Sequence, residues 1–471
     1  MISYTSGLPI RIQKARTNHT LHGRLKMCID NPDNENTERP VQMFQVPQNI
    51  QDYLTVLDDF IEREIKPLEE RDDNIRFFDH RREHARTDWD NDGLPREEWE
   101  DLLREAKAVS DKAGHYRYQL PPEFGGQDGT NLGMAVIRHH LAKKGLGLHN
   151  DLQNEHSIVG NLVQPLMMRD FGTQSQKERF MEGMLQGKQR WAFGLTEEAH
   201  GSDATHMNTT AVRHTKDGVE GWLINGEKMW TTGLHTATHV MTFARHSGED
   251  GDAKGLGCFV VDTKAEGFEI GEYLWTFNMP TDHPKCSFND VFVPDDMILG
   301  DLDWGLAAAQ HFVHENRIRQ AASSLGAAEY CVAEAIQYAR ERKPFGKPLW
   351  LNQAIQFPIV ELSTQCEMLR LLIFKTAWEM DQMSKPEVAK RFNMTISALS
   401  AFIKSQLESV QISTVIQGKR KTKKLIMFSS DIHLISAANI DEPYPISRIK
   451  SNVKKETGNG GDVNWTWSND W

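Results

Sequence analysis

The sequence predicts an α+β chain built as an N-terminal helical domain, a middle antiparallel β domain and a C-terminal helical bundle, in that order. Three features point there. Apolar residues recur at helical spacing up to about residue 190, they alternate in short, turn-bounded runs from Trp191 to about Val293, and helical spacing returns from Trp304. A chain of 471 residues, 39% of them hydrophobic, can bury a sizeable core and divide into packed domains.

Residues 1–45 read as a disordered arm or a transit segment, because the first 29 hold Arg11, Lys14, Arg16, Arg24 and Lys26 with several hydroxyl residues and no acid. The polar stretch Asn31 to Arg39 reads as a linker, and folding starts near Val46. From Asp52, Leu54, Leu57, Phe60, Ile61 and Ile65 form one helical stripe that Pro67 is expected to close. Further helical patterns over Arg96 to Ala113, Gly133 to Lys144 and Gln174 to Leu185 complete a helical domain at 46–190. Lys216-Asp217-Gly218, Asn225-Gly226 and Gly248 to Gly251 punctuate the β domain at 191–302, with Asn225-Gly226 the strongest hairpin signal. Helices over Ala321 to Arg342 and Ile355 to Met383 suit a partial bundle at 303–392. The remainder, 393–471, is of different character. It has a basic block from Gly418 to Lys424 and Pro443 and Pro445. No sustained amphipathic helix follows its first part, and its last 25 residues suit a disordered or loosely packed end.

Composition excludes several functions. With 54 Lys and Arg against 66 Asp and Glu, the net charge of -12 argues against a general nucleic-acid surface. Cys28, Cys258, Cys286, Cys331 and Cys366 show no CxxC spacing, which suits a reducing compartment without disulfides. The expected location is mitochondrial, or cytoplasmic or peroxisomal. No apolar run is long enough for a spanning helix. Gly145-Leu146-Gly147 and Gly255-Leu256-Gly257 lack the third glycine of a dinucleotide fingerprint. His235 and His239 have no acidic partner in a metal-protease pattern, so no metal site is expected.

Chemistry becomes readable at WAFGLTEEAHGSD, Trp191 to Asp203. The Thr196 hydroxyl, the amides of an irregular turn and the small pair Gly201-Ser202 can bring donors to a flat, electron-poor ring. Downstream, Trp230-Thr231-Thr232 sets an aromatic beside two hydroxyls. Further on, Arg342 offers a planar fork suited to pyrophosphate, beside Phe345-Gly346. Taken singly, these segments equally suit a strand end entering a loop, a core tryptophan and a solvated charge run.

Taken together they closely resemble the acyl-CoA dehydrogenases. LTEEAHGSD, INGEKMWTTG and RERKPFGKPLWLNQAIQF stand in that family's order, PPEFGG and SFNDVFVP fit its pattern, and the likeness runs from about Val46 to Phe392. The resemblance implies an FAD-dependent flavoprotein of fatty-acid β-oxidation that desaturates an acyl-CoA between its α and β carbons. The electrons would pass to an electron-transfer flavoprotein or, in a sibling oxidase, to oxygen. A binder of flavin or CoA without catalysis is the remaining alternative. By the same resemblance Phe193, Leu195 and Thr196 line the flavin ring, and Gly201 and Ser202 lie where ring and thioester meet. Trp230 covers the ring, Thr232 reaches its N5 edge and Thr231 contributes through its backbone. Arg342, Phe345 and Gln353 would hold the adenylate of an FAD bound to a neighbouring subunit, which implies a homo-oligomer. Arg317, and more weakly His314, would meet the CoA.

The family's catalytic glutamate is not found. No QxxGGxG-like turn and no glutamate followed by Gly and a small hydroxyl residue occurs in the tail. In members that carry the base directly before the matching arginine, the position corresponds to Asn316, which cannot take a proton. Glu315 is one residue away, about 100° around a helix, and is expected to point elsewhere. Either unrelated sequence replaces the last helices of such an enzyme, or a flavoprotein has acquired a different tail. The first is favoured, and it would uncover an apolar face of the bundle.

Overall fold

The computed structural model describes residues 45–79, 82, 85–150, 156–274, 282–383, 411–416 and 419–424. The domain elements described below belong to the compact unit Val46–Trp471. The arm and most of the tail lie outside the described residues.

The apolar stripe that starts the folded body forms α1 (Gln48–Phe60), a π-helical turn (Ile61–Ile65) and α2 (Lys66–Glu70). Pro67 does not close this run as expected. It sits in the first turn of α2, where a missing N–H costs nothing, and the wider π turn before it absorbs the mismatch. A two-residue hairpin, β1 (Thr87–Asp88) with β2 (Leu94–Pro95), leads into α3 (Glu97–Lys112). The central helix is α4 (Asn131–Lys143), buried along most of its length. Helix α5 (Val163–Phe171) has no counterpart among the sequence expectations, whereas α6 (Gln174–Leu185) has the expected bounds and starts on a Thr173–Gln176 capping box. Gln176 also donates to the Asp296 and Ile298 carbonyls, which fixes α6 against the β domain.

The β domain comprises β3 (Trp191–Gly194), β4 (Thr210–Lys216), β5 (Val219–Lys228), β6 (His239–Arg245), β7 (Leu256–Asp262), β8 (Phe268–Tyr273) and β9 (Pro284–Pro294). They form a seven-stranded sheet in the order β3-β6-β4-β5-β9-β8, with β7 also paired to β6. Pairing is antiparallel except where β6 meets β3 and β4. The tight hairpin turn is at Asp217-Gly218, both left-handed at φ 51° and 80°, and not at Asn225-Gly226. Asn225 stays paired with Thr210, so the chain runs straight on and Gly226 takes up a bulge against β9 at φ 143°.

Two long helices, α7 (Gly305–Glu341) and α8 (Gln353–Gln382), form the bundle. Gly326 allows α7 to lie directly on α4, since a Cβ there would stand 2.3 Å from the His139 carbonyl oxygen. The far end of α8 completes the N-terminal domain. Asp381 accepts from Asn131 N (2.8 Å) and Leu132 N (3.0 Å), satisfying the first turn of α4 together with Thr130. The outer face of α8 exposes Phe357, Val360, Met368, Leu371 and Trp378. Within the tail, β10 (Gln411–Ile416) and β11 (Lys419–Lys424) pair as a hairpin around the basic block, which the sequence pattern did not announce.

Asp381→Ala is expected to lower stability by about 1–2 kcal/mol, the usual cost of removing a helix cap. Urea unfolding measures it, and Asp381→Asn should recover part of the loss.

Candidate active site

Strand β3 delivers the first motif. Phe193 packs on Phe243 of β6 with ring centroids 5.1 Å apart, and Phe193 and Leu195 lie half-buried against the β-domain core. Beyond them the chain leaves the sheet. Thr196 is buried, a tight turn exchanges hydrogen bonds between Glu197 and His200, and Gly201 and the exposed Ser202 follow. Asp203 closes the loop by accepting from Thr205 N at 3.1 Å.

The second motif meets the first in space. Met229 N donates to the Thr196 carbonyl at 2.9 Å. Lys228, only 1% exposed, donates to Glu197 Oε1 at 2.7 Å and to the Leu195 carbonyl at 3.3 Å. Glu197 also accepts from Asn208 N (2.7 Å) and Thr209 N (2.9 Å). Burial pushes the Lys228 ammonium down to about 8, although the Glu197 charge acts the other way. Burial alone would raise the Glu197 carboxyl, but the Lys228 charge and the hydrogen bonds outweigh it and hold it below the usual carboxylate range. The sequence reading singled out neither residue.

Trp230 then takes a left-handed conformation at φ 58°, which a bulky side chain rarely adopts. The kink leaves its ring half-buried beside the half-buried Thr232. Thr231 faces inward: its side chain is fully buried with Oγ1 3.9 Å from Cys286 Sγ, and its N–H donates to the Pro284 carbonyl at 3.2 Å. Its carbonyl also has a partner within the chain, accepting from Leu234 N at 3.3 Å. A Cβ at Gly201 would meet nothing nearer than Thr196 Cγ2 at 3.8 Å, and one at Gly233 nothing within 4 Å. Space is thus open at Gly233 and only lightly contacted at Gly201, and the side-chain types present, two hydroxyls and an indole, fit the edge and face of a flat ring.

Arg342, Phe345 and Gln353 lie elsewhere, around the turn from α7 to α8, and all three are exposed. Phe345 is left-handed at φ 54° and projects fully into solvent. On α7, Arg317 is half-buried, and the His314 side chain lies outside the described set. Asn316 is fully buried, its Oδ1 accepting from Asn161 Nδ2 at 3.1 Å. The Glu315 carboxylate is bound by Arg319 at 2.8 Å and Gln119 at 3.4 Å, and Arg319 in turn holds Asn161 Oδ1 at 3.0 Å. No cluster of three or more metal-ligating side chains occurs among the described residues, and no described helix is long and apolar enough to cross a membrane.

Family models for the acyl-CoA dehydrogenase N-terminal, middle and C-terminal domains match residues 50–188, 192–291 and 303–405, so the likeness continues past Phe392. The chain is 31% identical over 271 residues to a 3-(aryl)acrylate reductase of Clostridium sporogenes, covering 57% of this chain and 69% of that one. It is 31% identical over 288 residues to the caffeyl-CoA reductase-Etf complex subunit CarC of Acetobacterium woodii, covering 60% and 72%. The solved butyryl-CoA dehydrogenase of Megasphaera elsdenii superposes with a TM-score of 0.58 at 25% identity, covering 78% of this chain and 85% of that one. The chain belongs to the acyl-CoA dehydrogenase family. It has that family's fold, and its cofactor is FAD.

Trp230→Gly separates ring binding from folding, because glycine accepts the left-handed backbone without strain. FAD affinity should fall by about tenfold, within the range of losing an aromatic contact. The thermal midpoint should change little. Calorimetric FAD titration and thermal unfolding of the same preparation check both.

Proposed function

We propose that this chain binds FAD and an acyl-CoA as an α,β-dehydrogenase does, but removes the α-proton slowly because its own helix α7 presents Asn316 where a carboxylate is needed. The buried Asn316–Asn161 hydrogen bond carries this reading. A carboxamide has no basic site at neutral pH, and the adjacent Glu315 is committed to Arg319 and Gln119.

When bound, FAD accepts the hydride equivalent that leaves the β carbon. The chain's residues bind and orient. Thr196 and Thr232 present hydroxyls to the ring edge, and Trp230 closes one face. Arg317 supplies a guanidinium suited to the CoA phosphates of an otherwise acidic protein. The exposed Arg342, Phe345 and Gln353 suit the adenylate of a neighbouring subunit's FAD, and the uncovered apolar face of α8 suits a homo-oligomer. An electron-transfer flavoprotein is the proposed electron acceptor, in line with the Acetobacterium relative that is a subunit of an Etf complex.

Anaerobic titration with acyl-CoAs of different length, followed by loss of flavin absorbance, tests the reading. Slow bleaching is expected for the natural chain. Asn316→Glu should accelerate it by about 100-fold or more, the scale of a positioned general base. Fast bleaching in the natural chain, left unchanged by Asn316→Glu, would mean that a base lies elsewhere.

A further inference from the structure

We propose that Lys228 is a positioning residue of the flavin site: its ammonium group, paired with Glu197, fixes the peptide planes around Thr196, and FAD is held tightly only while that pair is intact. The proposal rests on the FAD site described above and assigns a role to a residue outside the ring-contacting set.

The geometry is specific to Thr196. A trans peptide unit points its N–H opposite to its C=O. Lys228 Nζ takes the Leu195 carbonyl at 3.3 Å, which turns the Thr196 N–H to the other side of the chain. The next residue, Met229, takes the Thr196 carbonyl at 2.9 Å, which turns the Glu197 N–H to the side where the His200 carbonyl accepts it at 3.1 Å. Two consecutive residues at the end of β5 thus clamp both peptide planes that flank Thr196. The Glu197 carboxylate does the same for the rest of the loop. It gathers Lys228, Asn208 N and Thr209 N, and so closes the loop that carries Gly201 and Ser202 between two fixed ends.

Stability alone does not explain a charge at this position. Lys228 and Glu197 are 1% and 6% exposed, and a buried ion pair is commonly no more stable than an apolar pair of the same volume. What the pair provides is direction, because an ammonium donates to the Leu195 carbonyl and the Glu197 carboxylate at once. Apart from Glu197, the titratable group that faces Lys228 is the Cys286 thiol on β9, which burial pushes up to about 11 and so keeps neutral below that pH.

A distinctive pH dependence follows. Burial lowers Lys228 from 10.5 to about 8, so the folded chain gives up a proton that the unfolded chain keeps. This group therefore adds to fold stability as pH rises from about 8 towards 10.5, while the ion pair that orients Thr196 is lost over the same range. FAD affinity and fold stability should move in opposite directions there. A lysine with no positioning role would leave FAD affinity flat while stability rose.

The experiment is calorimetric FAD titration of the full chain from about pH 6.5 to 9.5, in parallel with urea unfolding, for the natural protein, Lys228→Arg and Lys228→Met. The natural chain should lose about tenfold in FAD affinity as pH passes Lys228's value, with no matching fall in the urea midpoint. Lys228→Arg, which does not titrate in this range, should bind FAD with a flat pH profile. Lys228→Met should bind about tenfold more weakly at every pH. A flat profile in the natural chain, natural affinity in Lys228→Met, or the same pH loss in Lys228→Arg overturns the proposal. If Lys228→Met fails to fold, the other two profiles decide. A natural chain that takes up no FAD at any pH overturns the flavin site itself.

Discussion

Closing an irregular loop over the end of a sheet requires that its backbone amides and carbonyls find partners, and here the Glu197–Lys228 pair supplies three of them: the Leu195 carbonyl and the Asn208 and Thr209 amides bond to it. Leu195, Thr196, Asn208 and Thr209 all turn on that one contact or on the Met229 amide beside it. The left-handed Trp230 follows two residues after Lys228, and beyond it Thr231 N and Gly233 N are held by the Pro284 and Asp282 carbonyls.

The helical parts have a different task, which is to hold α7 in register with the β domain. Helix α4 is the keystone of that packing. It lies on α7 through the gap left by Gly326 and is capped by Asp381 from the end of α8. The N-terminal domain and the bundle are thereby interdependent, and on α7 Asn316 and Arg319 bond Asn161 while Arg319 also binds Glu315. A network so completely tied leaves little freedom for Glu315 to swing into another role.

Much of this was legible from the residues, and where it was not the reason is physical. Long amphipathic stripes such as Gln174 to Leu185 fix their own helix bounds, because local spacing and a capping box agree. Asn225-Gly226 misleads as a hairpin because a glycine in a strand serves a bulge as well as a turn, and only the partner strand decides between them. Pro67 misleads because a π turn before it removes the clash that would have ended the helix. Motif order pointed to candidate flavin-site residues, but Lys228 and Glu197 stayed hidden inside those same motifs. Their significance is the contact between them across 31 positions, and nothing local marks it. Glu197 stands among the other acids Glu198 and Asp203, and Lys228 beside Glu227, so charge pattern alone does not pick out the pair.

The most direct measurement is a structure of the protein with FAD bound. The ring edge is predicted within hydrogen-bonding distance of Thr196 and Thr232, with the Trp230 indole against its face, and the adenylate against Arg342 and Phe345 of another subunit. A flavin seated away from the loop that Lys228 and Glu197 close, or one whose adenylate stays on its own chain, would contradict this arrangement.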